Sequence, residues 1–233
     1  FILRFILIFF INIAKYFHHL YVDSTYGDTI IDLKNAYSKI HHLSKNEELS
    51  DSEFKTMMLF MCDTLRVIFE RKTHAECSVS IKVPVKNKIQ EDAVLKNLCR
   101  DSGHLNRDTT KYNETIHTII GNTPFCYILN NVLKANKNGY HYVNNDIMST
   151  STYQNTSIDV YTDGILPYKS ELVYPIIPMV GEYNMLGFIC IDCNCKNKFT
   201  DTKYDIPMIE GVADGLYNIL DKWNKIKKEN SQK

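Results

Sequence analysis

The sequence has no net charge with which to attract a polyanion or a polycation. Its 27 Lys and Arg residues are balanced by 27 Asp and Glu residues over 233 positions. Nucleic-acid binding depends on an excess of basic residues, so we expect no nucleic-acid partner. Hydrophobic residues make up 44% and charged residues 23% of the chain, which is typical of a globular domain with an extension.

The seven cysteines lack the pattern of a disulfide framework, because their number is odd and no pairing is indicated by their spacing. A reducing compartment fits such thiols best. Cys190, Cys193 and Cys195 spell C-x-x-C-x-C. A structural zinc site normally needs a second paired knuckle, however, and His141 is isolated. We therefore expect no metal and interpret these cysteines as packed side chains of a strand.

The sequence also lacks a recognisable catalytic constellation. It contains neither a Walker loop nor a glycine-rich dinucleotide-binding loop. His74, His104 and His117 have no nucleophile and acid at a spacing that would support catalysis. The sequence thus predicts that the protein is not an enzyme, and it leaves any cofactor unknown.

One apolar run is long enough to matter for localisation. Phe1–Ala14 is interrupted only by Arg4 and Asn12. A run of about 14 residues is shorter than the roughly 20 that span a bilayer, but it is apolar on every face. We expect residues 1–20 to be a transmembrane or hydrophobic anchor helix, present in part. The alternative is a helix buried against a partner subunit.

Basic side chains follow this run at Lys15, His18 and His19. Positive residues next to a membrane segment favour the cytoplasmic side. We therefore predict a membrane-associated protein whose folded domain lies in the cytoplasm.

Helical periodicity divides the rest of the chain into segments. Residues 21–50 are predicted to form a connecting helix, and residues 51–71 a helix with N-cap candidates in Ser50–Glu53. A single apolar stripe predicts a closing helix at 204–225, followed by a basic tail at 226–233.

Alternating and apolar runs predict a sheet between these helices. The expected elements are strands 77–85, 93–99, 140–143, 172–179 and 185–193, loops 100–113 and 148–166, helix 123–134, and a turn at Gly181–Asn184. Because side chains alternate along a strand, Cys190 and Asp192 should share one face and Ile189, Ile191 and Cys193 the other.

Three motifs in the second half of the chain resemble a GAF domain. The segment YKSELVYPI has the family's Ser-x-Leu-x-x-Pro pattern, LGFICID has its Leu-Gly-x-Leu-x-Leu/Ile-Asp pattern, and FTDTKYDIPMIEGVADGLYNI resembles its Phe-Thr-x-x-Asp helix start. The matching residues are Ser170, Leu172, Pro175, Leu186, Gly187, Asp192, Phe199, Thr200 and Asp201. Residues 51–148 match only in the order of their elements, and residues 1–50 lie outside.

The resemblance implies an α+β fold over residues 51–225, a GAF/PAS-like antiparallel sheet flanked by helices. It also implies a ligand pocket on the side of the sheet facing helix 123–134 and the segment 140–166. The implied polar contacts are Tyr127, Asn145, Asp146, Tyr153 and Asp192, with Phe125 and Tyr161 as stacking surfaces.

By the same resemblance, the protein is expected to be a sensor in signal transduction that binds a small, unidentified molecule. Its state would pass to a partner protein or to the membrane segment through helices 51–71 and 204–225, which pair in a homodimer. The bilin-attachment motif of the family is absent, and Asn197-Lys198-Phe199 departs from the phosphodiesterase signature. The alternatives are a ligand-free assembly module and a cysteine-dependent methionine sulfoxide reductase.

Overall fold

A computed structural model describes most of the chain, namely residues 2–45, 50–86, 89–90, 92–109, 117–133, 140–156, 165–178, 184–199 and 202–231. The helices are α1 (Ile2–Ser44), α2 (Asp51–Thr73), α3 (Asn106–Thr109), α4 (Thr123–Leu133) and α5 (Thr202–Ser231). The strands are β1 (Cys77–Pro84), β2 (Val94–Arg100), β3 (His117–Thr118), β4 (Tyr142–Asn144), β5 (Ser170–Ile176) and β6 (Gly187–Cys193). Short 3-10 helices lie at Ser102–His104 and Ile147–Ser149.

The strands form one six-stranded sheet in the order β3-β2-β1-β6-β5-β4, and every pair is antiparallel. β1 and β6 are neighbours at its centre although more than a hundred residues separate them. This α+β, GAF-like arrangement is the fold that the sequence predicts, and the expected segregation of Cys190 and Asp192 from Ile189, Ile191 and Cys193 is confirmed.

Helices α2 and α5 cover one face of the sheet. Their apolar stripes meet every second side chain of β1, β6 and β5 in a continuous core. Phe54 of α2 and Trp223 of α5 are stacked, with ring centroids 4.3 Å apart. A second apolar cluster, built around α4, covers part of the opposite face. The central strands are therefore covered on both sides, and all seven residues of β5 are buried.

The ends of α2 follow from local sequence. The Ser50 hydroxyl accepts a hydrogen bond from the Glu53 backbone N–H, and the Glu53 carboxylate accepts one from the Ser50 backbone N–H. This capping box satisfies two amides that the first helical turn leaves without partners. The helix ends at His74, whose left-handed backbone (φ 50°) returns its N–H to the Glu70 carbonyl.

Residues predicted as an anchor and a separate connecting helix form one continuous helix, α1. Its second half packs on the outer side of α2 and α5, where Ala36 and Ile40 are buried. The Tyr37 hydroxyl donates to the Gly211 carbonyl at 2.9 Å. A Cβ atom on Gly215 would lie 2.6 Å from the Tyr37 ring, so this glycine makes room for the tyrosine.

The first half of α1 is different, because its large apolar side chains are exposed. They are Ile6, Leu7, Ile8, Phe9, Phe10, Ile11, Tyr16, Phe17, Leu20 and Tyr21. In the part of the chain that the structure describes, no helix combines the length and the apolar content that crossing a bilayer requires. The predicted transmembrane segment is therefore not confirmed.

Several boundaries differ from those predicted. Segment 100–113 was predicted as loop, but it contains the 3-10 helix Ser102–His104 and α3. β3 was not predicted at all, since two residues are too few for alternation to register. α5 continues through residues expected to be a frayed tail. Val85, the last residue of the predicted strand 77–85, lies beyond β1 and is exposed. The turn at residues 181–183 lies outside the described residues.

The contact between Tyr37 and Gly215 gives the first prediction. Gly215→Ala should destabilise the protein by roughly 1–3 kcal/mol, because the new methyl group forces the Tyr37 ring to move in a packed contact. Gly211→Ala is the matched control: no atom lies within 4 Å of its would-be Cβ, and alanine favours helix. Urea unfolding of both variants tests this. Equal stability of the two would contradict the proposed role of Gly215.

Candidate functional site

The side of the sheet opposite α2 and α5 carries a row of buried polar groups. Strand alternation places them there, because their neighbours Cys77, Val79, Ile81, Leu172 and Ile191 face the helices. We call this set the polar face: Ser78, Ser80, Lys82, Asn97, Arg100, Glu171, Cys190 and Asp192. Most of these side chains are buried, and each therefore needs a partner for its polar atoms.

Strand register brings the members of the polar face together across the sheet. Ser78 lies opposite Asp192, and Asp192 lies opposite Glu171. One step along, Arg100 lies opposite Ser80, and Ser80 opposite Cys190. Directly opposed residues have Cβ atoms about 5 Å apart, so each row is a set of neighbouring side chains.

At one end of the polar face, Lys82 contacts His117 of β3. The Lys82 Nζ lies 2.9 Å from His117 Nε2, and it also donates to Asn97. Burial lowers the pKa of His117 to about 2, with smaller contributions from Lys82 and Arg100. The imidazole is therefore neutral at physiological pH, and its Nε2 can accept a hydrogen bond from the Lys82 ammonium.

At the other end of the polar face, Asp101 follows the last residue of β2 and contacts Ser78. This fully buried carboxylate accepts hydrogen bonds from the Ser78 hydroxyl (3.1 Å) and the Val79 N–H (2.9 Å), and it pairs with Arg66 at 3.3 Å. Arg100 in turn donates to Ser78 Oγ at 3.0 Å. Because the charges compensate one another within the network, we interpret it as structural support for the site.

Arg107 of α3 closes over Asp192. Its two terminal nitrogens lie 3.0 and 3.2 Å from the two carboxylate oxygens, a bidentate pair in which both side chains are mostly buried. The guanidinium also stacks on the Tyr168 ring, 5.6 Å from its centroid. The pair fixes the position of the Asp192 carboxylate next to Glu171.

Glu171 is the unusual member of the polar face. Burial raises the pKa of its carboxyl to about 8, the Tyr153 hydroxyl opposes that shift, and Asp192 adds to it. Its Oε1 atom is buried and has no hydrogen-bond partner among the residues that the structure describes. A buried carboxyl oxygen of this kind costs stability unless something donates to it.

Two tyrosines stand beside this carboxyl. Tyr153 and Tyr168 belong to a small apolar cluster, and their hydroxyls are joined through the Asn155 side-chain amide at 3.2 and 2.7 Å. Burial, followed by the charge of Glu171 for Tyr168 and of Tyr168 for Tyr153, raises the pKa of both phenols. Both therefore remain neutral hydroxyls at physiological pH.

Three of the predicted ligand contacts lie at the polar face. Asp192 belongs to it, Tyr153 lies beside Glu171, and Phe125 covers its Lys82 end, 4.7 Å from the Phe188 ring and 6.4 Å from the His117 ring between centroids. Whether they contact a ligand stays a prediction.

The other predicted contacts lie elsewhere. Tyr127 is exposed on α4 with its ring against Tyr142. Asn145 exchanges hydrogen bonds with the Phe199 backbone. Asp146 caps the following 3-10 helix, and the Lys196 ammonium beside it lowers the pKa of its carboxyl. Tyr161 lies outside the described residues.

Sequence patterns alone do not place Glu171, Lys82, Arg107 and His117 at a common site. Two signals were available in the strands. Glu171 is the one charged residue in the run Ser170–Ile176, and Ser78, Ser80 and Lys82 alternate with apolar residues in β1. In β1, polar and apolar residues alternate without separating exposed from buried positions, because both faces of this strand, like those of β5, are largely buried. Arg107 and His117 reach the site only through tertiary structure. In the described residues, no group of three or more His, Cys, Asp or Glu side chains is placed to hold a metal ion.

The chain is similar to several solved structures. No family profile and no curated protein matches the chain. One similar solved structure is the type II free methionine-R-sulfoxide reductase of Thermoplasma acidophilum. It is 18% identical in sequence, the match covers 73% of this chain and 94% of the reductase, and the TM-score is 0.48. A structure of the GAF domain has 13% identity, coverage of 74% and 90%, and a TM-score of 0.42. The substrate complex of the Staphylococcus aureus fRMsr has 14% identity, coverage of 75% and 95%, and a TM-score of 0.43.

These comparisons correct one prediction. The sequence-based conclusion that the protein is not an enzyme is wrong, because structures similar to this chain include free methionine-R-sulfoxide reductases. An enzymatic role is therefore not excluded. At 13–18% identity, that activity is a property of those proteins alone.

Glu171 gives the second prediction. Its pKa is raised from 4.5 to about 8 in the folded protein, so between these values the folded state binds more protons than the unfolded state. The free energy of unfolding should fall as pH rises through this window. Glu171→Gln should remove that fall and add on the order of 1–3 kcal/mol at the upper end.

Urea unfolding at a series of pH values tests this, with the exposed Glu229→Gln as the matched control. The same pH dependence in the wild type and in both variants would show that Glu171 titrates normally.

Proposed function

We propose that this GAF-like protein binds a small molecule on the polar face, and that the molecule donates a hydrogen bond from a cationic or N–H group to Glu171. The observation that carries the proposal is the Glu171 Oε1 atom, which is buried and lacks a partner among the described residues. Native proteins leave few such atoms without a partner, and a bound ligand is one way to supply it.

The surroundings of Glu171 support a cationic group. Asp192 adds a second carboxylate directly across the strand pair, held by Arg107. Tyr153 and Tyr168 place aromatic rings at the same end of the polar face. Carboxylates together with aromatic rings form a favourable environment for ammonium and guanidinium groups. At the other end, Lys82 and the neutral His117 are suited to bind a hydrogen-bond acceptor group of the ligand.

The layering of the fold supports a sensor role. β5 and β6 present Glu171 and Asp192 to the ligand side, and their neighbours Leu172 and Ile191 to the helix side. A ligand that shifts these strands therefore acts on the packing of α2 and α5, on which α1 is seated. It biases this arrangement only to the extent that it binds one packing more tightly than the other.

The exposed half of α1 supports association, either with a membrane on its cytoplasmic side or with a second copy of the chain. An exposed apolar surface of this extent usually marks an interface. In this proposal, α1 connects the ligand-binding sheet to the membrane, and a homodimer or a signalling partner receives the change. The ligand-free assembly module remains the second candidate, favoured by this same surface.

The ligand proposal is tested with a panel of small primary ammonium and guanidinium compounds and their neutral acetylated counterparts. Thermal melting of the wild type should rise with cationic members of the panel and not with neutral ones. Glu171→Gln should remove that rise, and Glu229→Gln should retain it. Because a cation binds the ionised carboxylate, affinity should increase with pH up to about 8.

Native mass spectrometry of the purified chain provides an independent search for a bound molecule. A panel with no effect on melting, together with a ligand-free mass spectrum, would favour the assembly module. A rise in melting temperature that Glu171→Gln leaves unchanged would contradict the assigned contact.

Association is tested by comparing the full chain with residues 21–233 in vesicle flotation and light scattering. The full chain should float with the vesicles, and the shortened chain should remain behind because it lacks the exposed apolar residues of α1. Val67, which is 40% exposed on α2, reports on the homodimer. Val67→Glu should reduce a dimer to monomers. Equal flotation of both chains contradicts the membrane proposal, and a monomeric wild type contradicts the dimer.

A further inference from the structure

Two cysteines face each other across the centre of the sheet. Cys77 on β1 is the register partner of Cys193 on β6, and both side chains are fully buried on the helix side. The Asn194 N–H donates to the Glu76 carbonyl at 3.1 Å, which makes that neighbouring pair the hydrogen-bonded one. Cys77 and Cys193 therefore occupy a non-hydrogen-bonded pair, where Cα atoms are about 4.5 Å apart and side chains are closest.

This placement suits a covalent bond. Disulfides join residues whose Cα atoms lie roughly 4.4–6.8 Å apart, and the non-hydrogen-bonded position falls within that range. The two sulfurs also interact with each other, and each changes the pKa of the other.

The two sulfurs have unequal environments. The interaction with Cys77, the Cys195 backbone N–H and the Lys198 ammonium lower the pKa of Cys193 to about 7, against burial and Asp192. The interaction with Cys193 and burial raise the pKa of Cys77. One partner is therefore the better thiolate, and the other remains a thiol. Other groups packed around the pair are the Thr73 hydroxyl, 3.3 Å from Cys77 Sγ, and the Glu70 carboxylate at the Cys77 N–H.

A second pair of thiols in the same core shows the contrast. Cys62 of α2 interacts with Cys99 of β2, but this interaction, burial and the charges of Asp101 and Asp63 all raise the pKa of Cys62. On the polar face, burial raises the pKa of Cys190 to about 12. Both pairs thus bring two thiols close together, but only for Cys193 do the surroundings lower the pKa and favour the thiolate.

We propose that Cys77 and Cys193 are a redox-active dithiol site, which a small hydroperoxide oxidises to a cross-strand disulfide. The Cys193 thiolate attacks one peroxide oxygen, the O–O bond breaks, and the leaving oxygen departs as water or an alcohol after taking up a proton. The Cys77 sulfur then attacks the resulting sulfenic acid. The S–O bond breaks, water leaves with the thiol proton, and the disulfide forms.

The reaction is a two-electron oxidation at a buried site. The two thiols lose two electrons, and the hydroperoxide gains them. A cellular thiol reverses the step by thiol–disulfide exchange. Because neither sulfur is exposed, the site favours hydrogen peroxide over bulky oxidants. The disulfide would fasten β1 to β6 beneath the polar face, although the chemistry is independent of the ligand proposed for Glu171.

The test treats the folded full chain with hydrogen peroxide, blocks the remaining thiols with a maleimide under denaturing conditions, and measures the intact mass. Two fewer maleimides should be added than in the untreated protein. Trypsin should then yield a peptide from β1 that contains Cys77, linked to a peptide from β6, and fragmentation should assign the second sulfur to Cys193. Linkage to Cys190 or Cys195, or no linkage, overturns the proposal.

Variants separate the roles of the two sulfurs. Cys77→Ser should accumulate a sulfenic acid on Cys193 that dimedone traps, and Cys193→Ser should form neither product. Cys99→Ser, which removes the other thiol pair, is the matched control and should form the disulfide at the wild-type rate. The fragmentation map of the wild type decides the outcome by itself if either β-strand variant does not fold.

A pH profile adds a readout that packing alone would not produce. The oxidation rate should rise through about pH 7 as Cys193 ionises. Lys198→Gln should move this midpoint upward, because it removes the positive charge that favours the thiolate. A pH-independent rate, or an unchanged midpoint in Lys198→Gln, contradicts the assignment of Cys193 as the nucleophile.

Discussion

The structure depends on burying β1, β6 and β5 on both faces. Each strand alternates its side chains, so one set must be apolar enough to pack on α2 and α5, while the other set lies under α4 and its neighbours. In a sheet with one wet face the second set is solvated, and its polar groups cost nothing. Here the second set includes Ser78, Lys82 and Glu171, and every polar atom must find a partner inside the protein.

Most of these groups are satisfied in pairs of opposite charge or in charge-assisted hydrogen bonds. Asp101 accepts hydrogen bonds from β1 and pairs with Arg66 of α2, and Arg107 contacts both carboxylate oxygens of Asp192. Such arrangements seldom increase stability over an apolar core, because desolvation offsets the attraction between the charges. Their value is geometric, since they hold donors and acceptors at fixed places on a rigid sheet. Glu171 differs from these groups because its buried Oε1 atom has no hydrogen-bond partner among the described residues.

The sequence predicted the fold better than the site, for a physical reason. Helix periodicity, the Ser50–Glu53 cap and strand alternation are local properties, and they placed α2, α4, β1 and β6 to within a few residues. The site depends on side chains brought together from distant segments, such as Arg107 with Asp192. Polar loop residues that were predicted to contact a ligand, such as Asn145, instead form hydrogen bonds with the protein's own backbone. A charged residue within an apolar strand, Glu171, was the local signal that mattered.

The contact between α1 and α5 has a mechanical consequence. The Tyr37 ring packs directly over Gly215 of α5, and its hydroxyl donates a hydrogen bond to the carbonyl of Gly211, one turn earlier. A rotation of α1 about its axis, or a slide along it, would bring the ring against a side chain. The contact therefore favours one rotation of α1 about its axis and one register of α1 along α5. The direction of the exposed half of α1 is consequently set by this contact with α5, and a rotation of α5 would turn that half with it.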